Sequence, residues 1–140
     1  MKKLCLILFF SLQLSAFDTQ TASKIFEKIF TAINIDSPIK VYTVDAKYKE
    51  VIGSADSLQL VERRDLADII LVISKRAVPK YTQKIIFTTS PSVFEKNENA
   101  IGAFYWEHGR PKIIFLQSRL QRHNIELSST FEKYIVKELQ

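Results

Sequence analysis

One stretch near the middle of the chain constrains the fold more than any other: Ala67 to Ile73, which reads ADIILVI. An almost unbroken apolar run rich in β-branched side chains is typical of a strand that is covered on both faces. Lys84 to Thr89, reading KIIFTT, is a second run of this kind, and Pro79 interrupts the chain between the two. Two such strands predict a sheet with helices packed against both of its sides.

The pattern before and between these strands predicts further helices and strands. Apolar residues recur every three to four positions over residues 19–34, which indicates an amphipathic helix. Strands are predicted over Ile39 to Val44 and Leu58 to Val61, with Asp45 capping a short helix between them. Ser90-Pro91 can open another short helix after the second apolar run. Strands that alternate with helices indicate mainly parallel pairing.

The last third of the chain has a different pattern. Two strands, Ala100 to Glu107 and Lys112 to Gln117, are separated by His108-Gly109-Arg110-Pro111, a connection of hairpin length. A short helix is expected from Ser118 to about Asn124, because asparagine suits the left-handed position after a helix.

A final helix is predicted after that. Ser129 and Glu132 have the spacing of a capping box. One apolar stripe would run along this helix through Phe131, Tyr134, Ile135 and Leu139. The predicted fold is therefore a single α/β domain, a mainly parallel sheet with helices on both faces and an antiparallel C-terminal hairpin.

The first 16 residues have the pattern of a cleavable signal peptide. Two lysines precede Leu4 to Leu14, an uncharged and mostly apolar run of 11 residues, and Ser15-Ala16 supplies small side chains at the cut. The run is shorter than the roughly 20 residues that a spanning helix needs. We therefore expect residues 1–16 to be removed and residues 17–140 to act as one domain in the periplasm.

Composition excludes several classes of function. The only cysteine, Cys5, lies in the leader, so residues 17–140 hold no disulfide, thiol nucleophile or thiolate metal site. Loss of two lysines with the leader lowers the formal charge from +5 to +3. No run of five or more like charges and no nucleic-acid-binding module is present, which argues against a nucleic-acid partner.

The sequence gives no constellation that calls for catalysis. His108 and His123 are the only histidines, and neither has further metal ligands at a suitable spacing, so no metal or other cofactor is expected. Asp65 and Asp68 are explained by capping and solvation at a strand boundary. Three glycines are too few for a phosphate-binding loop. We therefore expect a protein that is not an enzyme.

The aromatic sequence Phe104-Tyr105-Trp106 is the one unusual cluster, and it has two interpretations. Alternation along a strand puts Phe104 and Trp106 on one face and Tyr105 on the other, and both faces can be core. Alternatively, Tyr105 and Trp106, with Arg110 at the hairpin tip, form a partner-binding surface, since these residue types are frequent at binding hot spots. An aromatic edge hairpin also leaves open the formation of a homodimer.

A small-molecule crevice is the alternative kind of site. Parallel α/β sheets bind ligands beyond the carboxyl ends of their strands. In this chain the crevice would lie near Asp45, and the residues that would bind an anion in it are Ser74, Lys75, Arg76, Thr88, Thr89 and Ser90.

The C-terminal third resembles the YfiR-like family of periplasmic regulatory proteins. Phe104, the turn Gly109-Arg110, Ile113 and the segment Asn124 to Ser129 (NIELSS) occur in the order of that family's strand, turn, strand and Gly-Leu-x-Ile-Ser-Ser segment. The likeness is specific over roughly 35 residues and generic upstream.

The chain also departs from the family pattern. Leu116 stands where the family has Asn, and Asn99 and Ala100 stand where it has paired glycines. The cysteines linked to redox regulation in many members are missing from residues 17–140. The resemblance implies a regulator that restrains an inner-membrane signalling protein, such as a diguanylate cyclase or sensor kinase, through its extracytoplasmic part. It names neither the partner nor the signal.

Overall fold

The computed structural model describes residues 18–139 of the chain. The predicted signal peptide and both end residues of the predicted domain lie outside this range. Within this range the α-helices are α1 (Thr19–Thr31), α2 (Ala46–Gly53), α3 (Pro91–Lys96) and α4 (Gln117–Arg122). The short 3-10 turns there are η1 (Arg64–Leu66), η2 (Lys75–Ala77) and η3 (Ser129–Tyr134).

The seven strands of the described part of the chain form a single sheet. They are β1 (Ile39–Tyr42), β2 (Leu58–Leu60), β3 (Ile69–Val72), β4 (Ile85–Thr88), β5 (Ala100–Glu107), β6 (Arg110–Leu116) and β7 (Ile135–Val136). Their order is β2-β1-β3-β4-β5-β6-β7, with only the β5–β6 pair antiparallel. The predicted α/β class, the mainly parallel sheet and the C-terminal hairpin are confirmed.

Side chains that cap the helices explain where three of them begin. The carboxylate of Asp18 accepts from the Gln20 amide at 3.0 Å, and Asp45 accepts from the Tyr48 amide at 3.1 Å. Ser90 accepts from the Val93 amide at 3.3 Å, with Pro91 in the first turn. Each of these bonds satisfies an amide that the helix itself leaves unpaired.

The two faces of the sheet carry different layers. The α1 face is covered by α1, α2, α4 and η3, and its core includes Phe26, Phe30, Ile52 and Leu120. The α3 face is covered by η1, η2 and α3, and its core includes Ala67, Val93 and Phe94. All four residues of β3 are buried, as expected for a strand covered on both sides.

The hairpin closes through a two-residue turn. His108 has φ 52° and Gly109 has φ 76°, the pair of left-handed conformations that defines a type I′ turn. Glu107 pairs with Arg110 across it, so β6 begins two residues earlier than the sequence pattern predicts. The right-handed twist of the strands favours this turn type over types I and II.

The prediction of a final helix through Leu139 is wrong. The chain makes the 3-10 turn η3, whose start no side chain caps, and then enters β7. Ile135 pairs with Phe115 and Val136 with Leu116, so the free edge of β6 draws these residues into the sheet. β-branched Ile135 and Val136 suit a strand at least as well as a helix.

Elsewhere the boundaries differ by a few residues. α1 ends at Thr31 rather than residue 34, and Asn34 adopts φ 61°. β1 and β2 are shorter than predicted. α4 ends at Arg122 and Asn124 has φ 56°, which confirms the predicted stop.

Candidate functional site

The three consecutive aromatic residues of β5 divide between core and surface. Phe104 packs against the α1-face core, with its ring centroid 5.8 Å from that of Phe26. Tyr105 lies on the opposite face and packs partly against the α3-face core, with Lys112 Nζ 5.8 Å from its ring centroid. Trp106 is 66% exposed. Phe104 is therefore a core residue, Tyr105 is half-buried, and Trp106 is exposed.

A cleft of about 430 Å³ lies beside Trp106. We call it the hairpin cleft; it is lined by Asp18, Thr21, Ala22, Ile25, Phe26, Tyr48, Thr89, Phe104, Tyr105 and Trp106. Its walls come from the start of α1, from α2 and from the carboxyl ends of β4 and β5. Most of its lining is apolar or aromatic, so it suits a protruding apolar side chain or a small apolar group.

Asp18 gives the rim of the hairpin cleft a fixed negative charge. The Thr21 hydroxyl donates to its Oδ2 at 2.5 Å, and this bond lowers the pKa of the Asp18 carboxyl below its ordinary value. Deeper in the cleft, burial raises the pKa of the Tyr48 phenol, and the Asp45 carboxylate adds to the effect. The cleft is therefore an aromatic pocket with one carboxylate at its mouth, which favours a ligand that combines apolar and basic groups.

Arg110 lies at the hairpin tip, exposed, opposite Glu107. Glu107 also accepts from Lys112 Nζ at 3.2 Å. Burial of that ammonium is slight, and the bond to Glu107 is the main reason that the pKa of Lys112 is raised. Arg110 thus lies at the same end of the hairpin as Trp106, but its pairing with Glu107 puts it on the opposite face of the two strands.

The residues of the predicted anion crevice are only partly available. The Thr88 hydroxyl is buried, donating to Val72 O at 2.7 Å and accepting from the Ser90 amide at 3.0 Å. The Ser90 hydroxyl caps α3. Thr89 lines the hairpin cleft instead. Ser74, Lys75 and Arg76 are exposed after β3.

One buried hydroxyl at the same edge lacks a partner. Thr43 follows β1, is 1% exposed, and its Oγ1 has no hydrogen-bond partner among the described residues. The strand order reverses between β1 and β3, and such a switch point is where parallel sheets open a crevice. Because a buried unpaired hydroxyl is costly, Thr43 is a candidate ligand contact.

Sequence reasoning missed the residues that chain folding brings to the hairpin from a distance. Asp18 and Tyr48 carry no local sign of a site; one caps a helix and the other belongs to an apolar stripe. Only the packing of α1 and α2 over the end of β5 places them beside Trp106. No pattern in the sequence links these segments.

Residues 18–139 contain no group of three or more His, Cys, Asp or Glu side chains that could hold a metal ion. Within the same residues no helix is long and apolar enough to cross a membrane. No protein family, curated protein or solved structure matches the chain.

Proposed function

We propose that this protein is an exported, non-catalytic binding domain that modulates an inner-membrane signalling protein through the partner's extracytoplasmic part. A diguanylate cyclase or a sensor kinase is the partner that the resemblance to the YfiR-like family implies. The leader pattern of residues 1–16 and the C-terminal resemblance support this proposal.

The observation that carries it is the exposure of Trp106 beside the hairpin cleft. A tryptophan that is 66% exposed next to a mostly apolar, aromatic cleft has the composition of a binding hot spot. Burying such a ring in a partner's surface removes a large apolar area from water. The negative Asp18 at the rim adds a preference for a basic group on the partner.

Regulation by such a domain requires unequal binding to two states of its partner. A domain on one side of a membrane changes an enzyme on the other side only by favouring one conformation of the spanning protein. Coupling of this kind is usually worth about 1 to 3 kcal/mol. We expect the signalling state of the partner to change the shape of the surface that meets Trp106.

Site-specific crosslinking in intact cells tests the proposal. A photo-crosslinking amino acid at position 106 should capture an inner-membrane signalling protein. The same residue at position 59, in edge strand β2 at the far side of the sheet, is the control and should not. Capture of no inner-membrane protein from position 106, or equal capture from both positions, would contradict the proposal.

A small-molecule or anion-binding domain is the second candidate, and the unpartnered Thr43 hydroxyl favours it. A ligand that binds only the folded state must raise the melting temperature. A thermal-shift screen of anions and amino acids should then give a hit that is lost in Thr43→Val. If no compound shifts the melting temperature, or a hit survives this substitution, the Thr43 site is ruled out.

A further inference from the structure

The net charge of the described domain is concentrated in one segment. Residues 62–84 contain six Lys or Arg and three Asp or Glu, a net charge of +3. Residues 18–61 and 85–139 together contain twelve of each and are neutral. Because no five like charges are adjacent, a search for charge runs along the sequence overlooks this asymmetry.

Folding gathers that segment on one side of the molecule. The connection from β2 to β3 contains η1, the connection from β3 to β4 contains η2, and both cross the α3 face. Their residues Val61, Ala67, Ala77 and Val78 pack inward against that face. The two connections meet at a groove of about 730 Å³, which we call the basic groove. It is lined by Tyr42, Arg63, Arg64, Asp65, Tyr81, Thr82, Gln83 and Lys84.

Most of the six cations of residues 62–84 are not neutralised by the protein itself. Arg63 pairs with Asp65 at 2.6 Å, and Lys84 Nζ donates to the carbonyls of Asp65 and Ala67 at 3.1 and 2.8 Å. Lys84 and the other four cations have no ion pair within residues 18–139, and those four have no protein carbonyl contact of the Lys84 kind. These four, all exposed, are Arg64, Lys75, Arg76 and Lys80.

Two large apolar side chains point outward from the same connections. Tyr81 is 94% exposed and Leu66 is 50% exposed. Exposed tyrosine and leucine among unpaired lysines and arginines is the composition of surfaces that lie at an anionic bilayer. The cations meet the phosphates, the tyrosine ring sits at headgroup level, and the leucine reaches the acyl boundary.

We propose that the α3 face is a docking surface for an anionic lipid bilayer, with Arg64, Lys75, Arg76 and Lys80 attracting the headgroups and Leu66 and Tyr81 inserting among them. A bilayer accounts for the exposed cations and for the protruding Leu66 and Tyr81 together. This inference goes beyond the proposed function and does not depend on it, since lipid binding requires no protein partner.

Vesicle flotation of residues 17–140 tests it. We expect binding to phosphatidylcholine vesicles containing about a third phosphatidylglycerol, little binding to pure phosphatidylcholine, and loss of most binding when salt rises from about 0.1 to 0.5 M. Replacing Arg64, Lys75, Arg76 and Lys80 together by Ala should weaken the partition coefficient at least about tenfold.

A matched variant distinguishes an effect of this particular surface from an effect of the protein's net charge. Replacing Lys24, Lys28, Lys49 and Lys133 by Ala removes the same charge from elements on the α1 face and should change binding less than about twofold. The double variant L66S/Y81S keeps every charge and should also bind more weakly. The proposal would be overturned if the protein did not bind anionic vesicles, or if it bound neutral vesicles equally well. It would also be overturned if the two fourfold alanine variants lost binding to the same extent.

Discussion

The ring of Phe115 on β6 lies directly over Gly102 on β5, its cross-strand partner. A Cβ built on Gly102 would stand 2.6 Å from Cδ1 and 2.7 Å from Cε1 of that ring, and 3.0 Å from the Ile114 carbonyl oxygen. Phe115 is fully buried and touches Phe87, with ring centroids 5.9 Å apart. The glycine therefore provides the space in which an aromatic core residue of the hairpin packs.

Gly102→Ala should destabilise the domain by about 1 to 3 kcal/mol, because the Phe115 ring cannot move without disturbing a filled core. Gly53→Ala is the matched control: a Cβ there meets nothing within 4 Å, at the end of helix α2. That variant should be unchanged or up to about 1 kcal/mol more stable. Urea denaturation measures both, and equal free energies of unfolding would contradict the packing argument.

Arg119→Met should cost at least about 2 kcal/mol of folding free energy. The buried guanidinium donates to the carbonyls of Phe94, Ala100 and Glu95 and stacks on the Phe94 ring at 5.1 Å. Methionine fills similar space but leaves these acceptors unpaired at the end of α3.

Arg122→Met is the control for this effect, three residues along the same helix. Arg122 pairs with Glu98 at 3.1 Å on the surface, and such pairs contribute less than about 1 kcal/mol. Thermal and urea denaturation should show a clearly larger loss of stability for Arg119→Met than for Arg122→Met. A similar loss in both would show that the Arg119 contacts stabilise the fold no more than a surface ion pair.

His123 should make the domain less stable as the pH falls below neutrality. Burial, and then repulsion from Arg122, lowers the pKa of His123 below its ordinary 6.5, and its Nε2 is buried without a partner among the described residues. The unfolded chain therefore binds this proton more tightly than the folded one. The free energy of unfolding decreases as the pH falls through 6.5 and levels off once the folded histidine is also protonated.

The expected measurement is the difference in unfolding free energy between pH 7.5 and about 5. His123→Gln should reduce that difference, whereas His108→Gln, in the exposed hairpin turn, should leave it as in the wild type. If both variants keep the wild-type slope, the acid sensitivity has another origin.

Much of this fold is predictable from local pattern, and the exceptions have a physical cause. Ile69 to Val72 is recognisable because a strand covered on both faces is apolar throughout. The strand that contains Ile135 is not recognisable in the sequence, because it forms only where β6 offers an unpaired edge. In the same way, alternation along the strand correctly predicts that Phe104 and Tyr105 lie on opposite faces. The hairpin cleft could not be predicted, because it brings together residues nearly 90 positions apart in the sequence, such as Asp18 and Trp106.

Trp106 can report on both proposed surfaces, since it is the only tryptophan in the chain. Its exposure predicts efficient acrylamide quenching in the free protein. Vesicles docked on the α3 face should leave that quenching unchanged, because Trp106 lies on the α1 face of the hairpin. A partner bound at the hairpin cleft should reduce it. Protection of Trp106 by vesicles alone would contradict the assignment of lipid binding to the α3 face.

The separation of layers has a consequence for how the surfaces can change. The elements η1, η2 and α3, which cover the α3 face, come from one uninterrupted stretch of chain, residues 61 to 97, whereas the α1 face is covered by segments on both sides of it. Substitutions or insertions in η1, η2 or α3 can therefore remodel the α3 face while the residues around Trp106 keep their sequence. The two proposed binding surfaces are thus free to diverge at different rates.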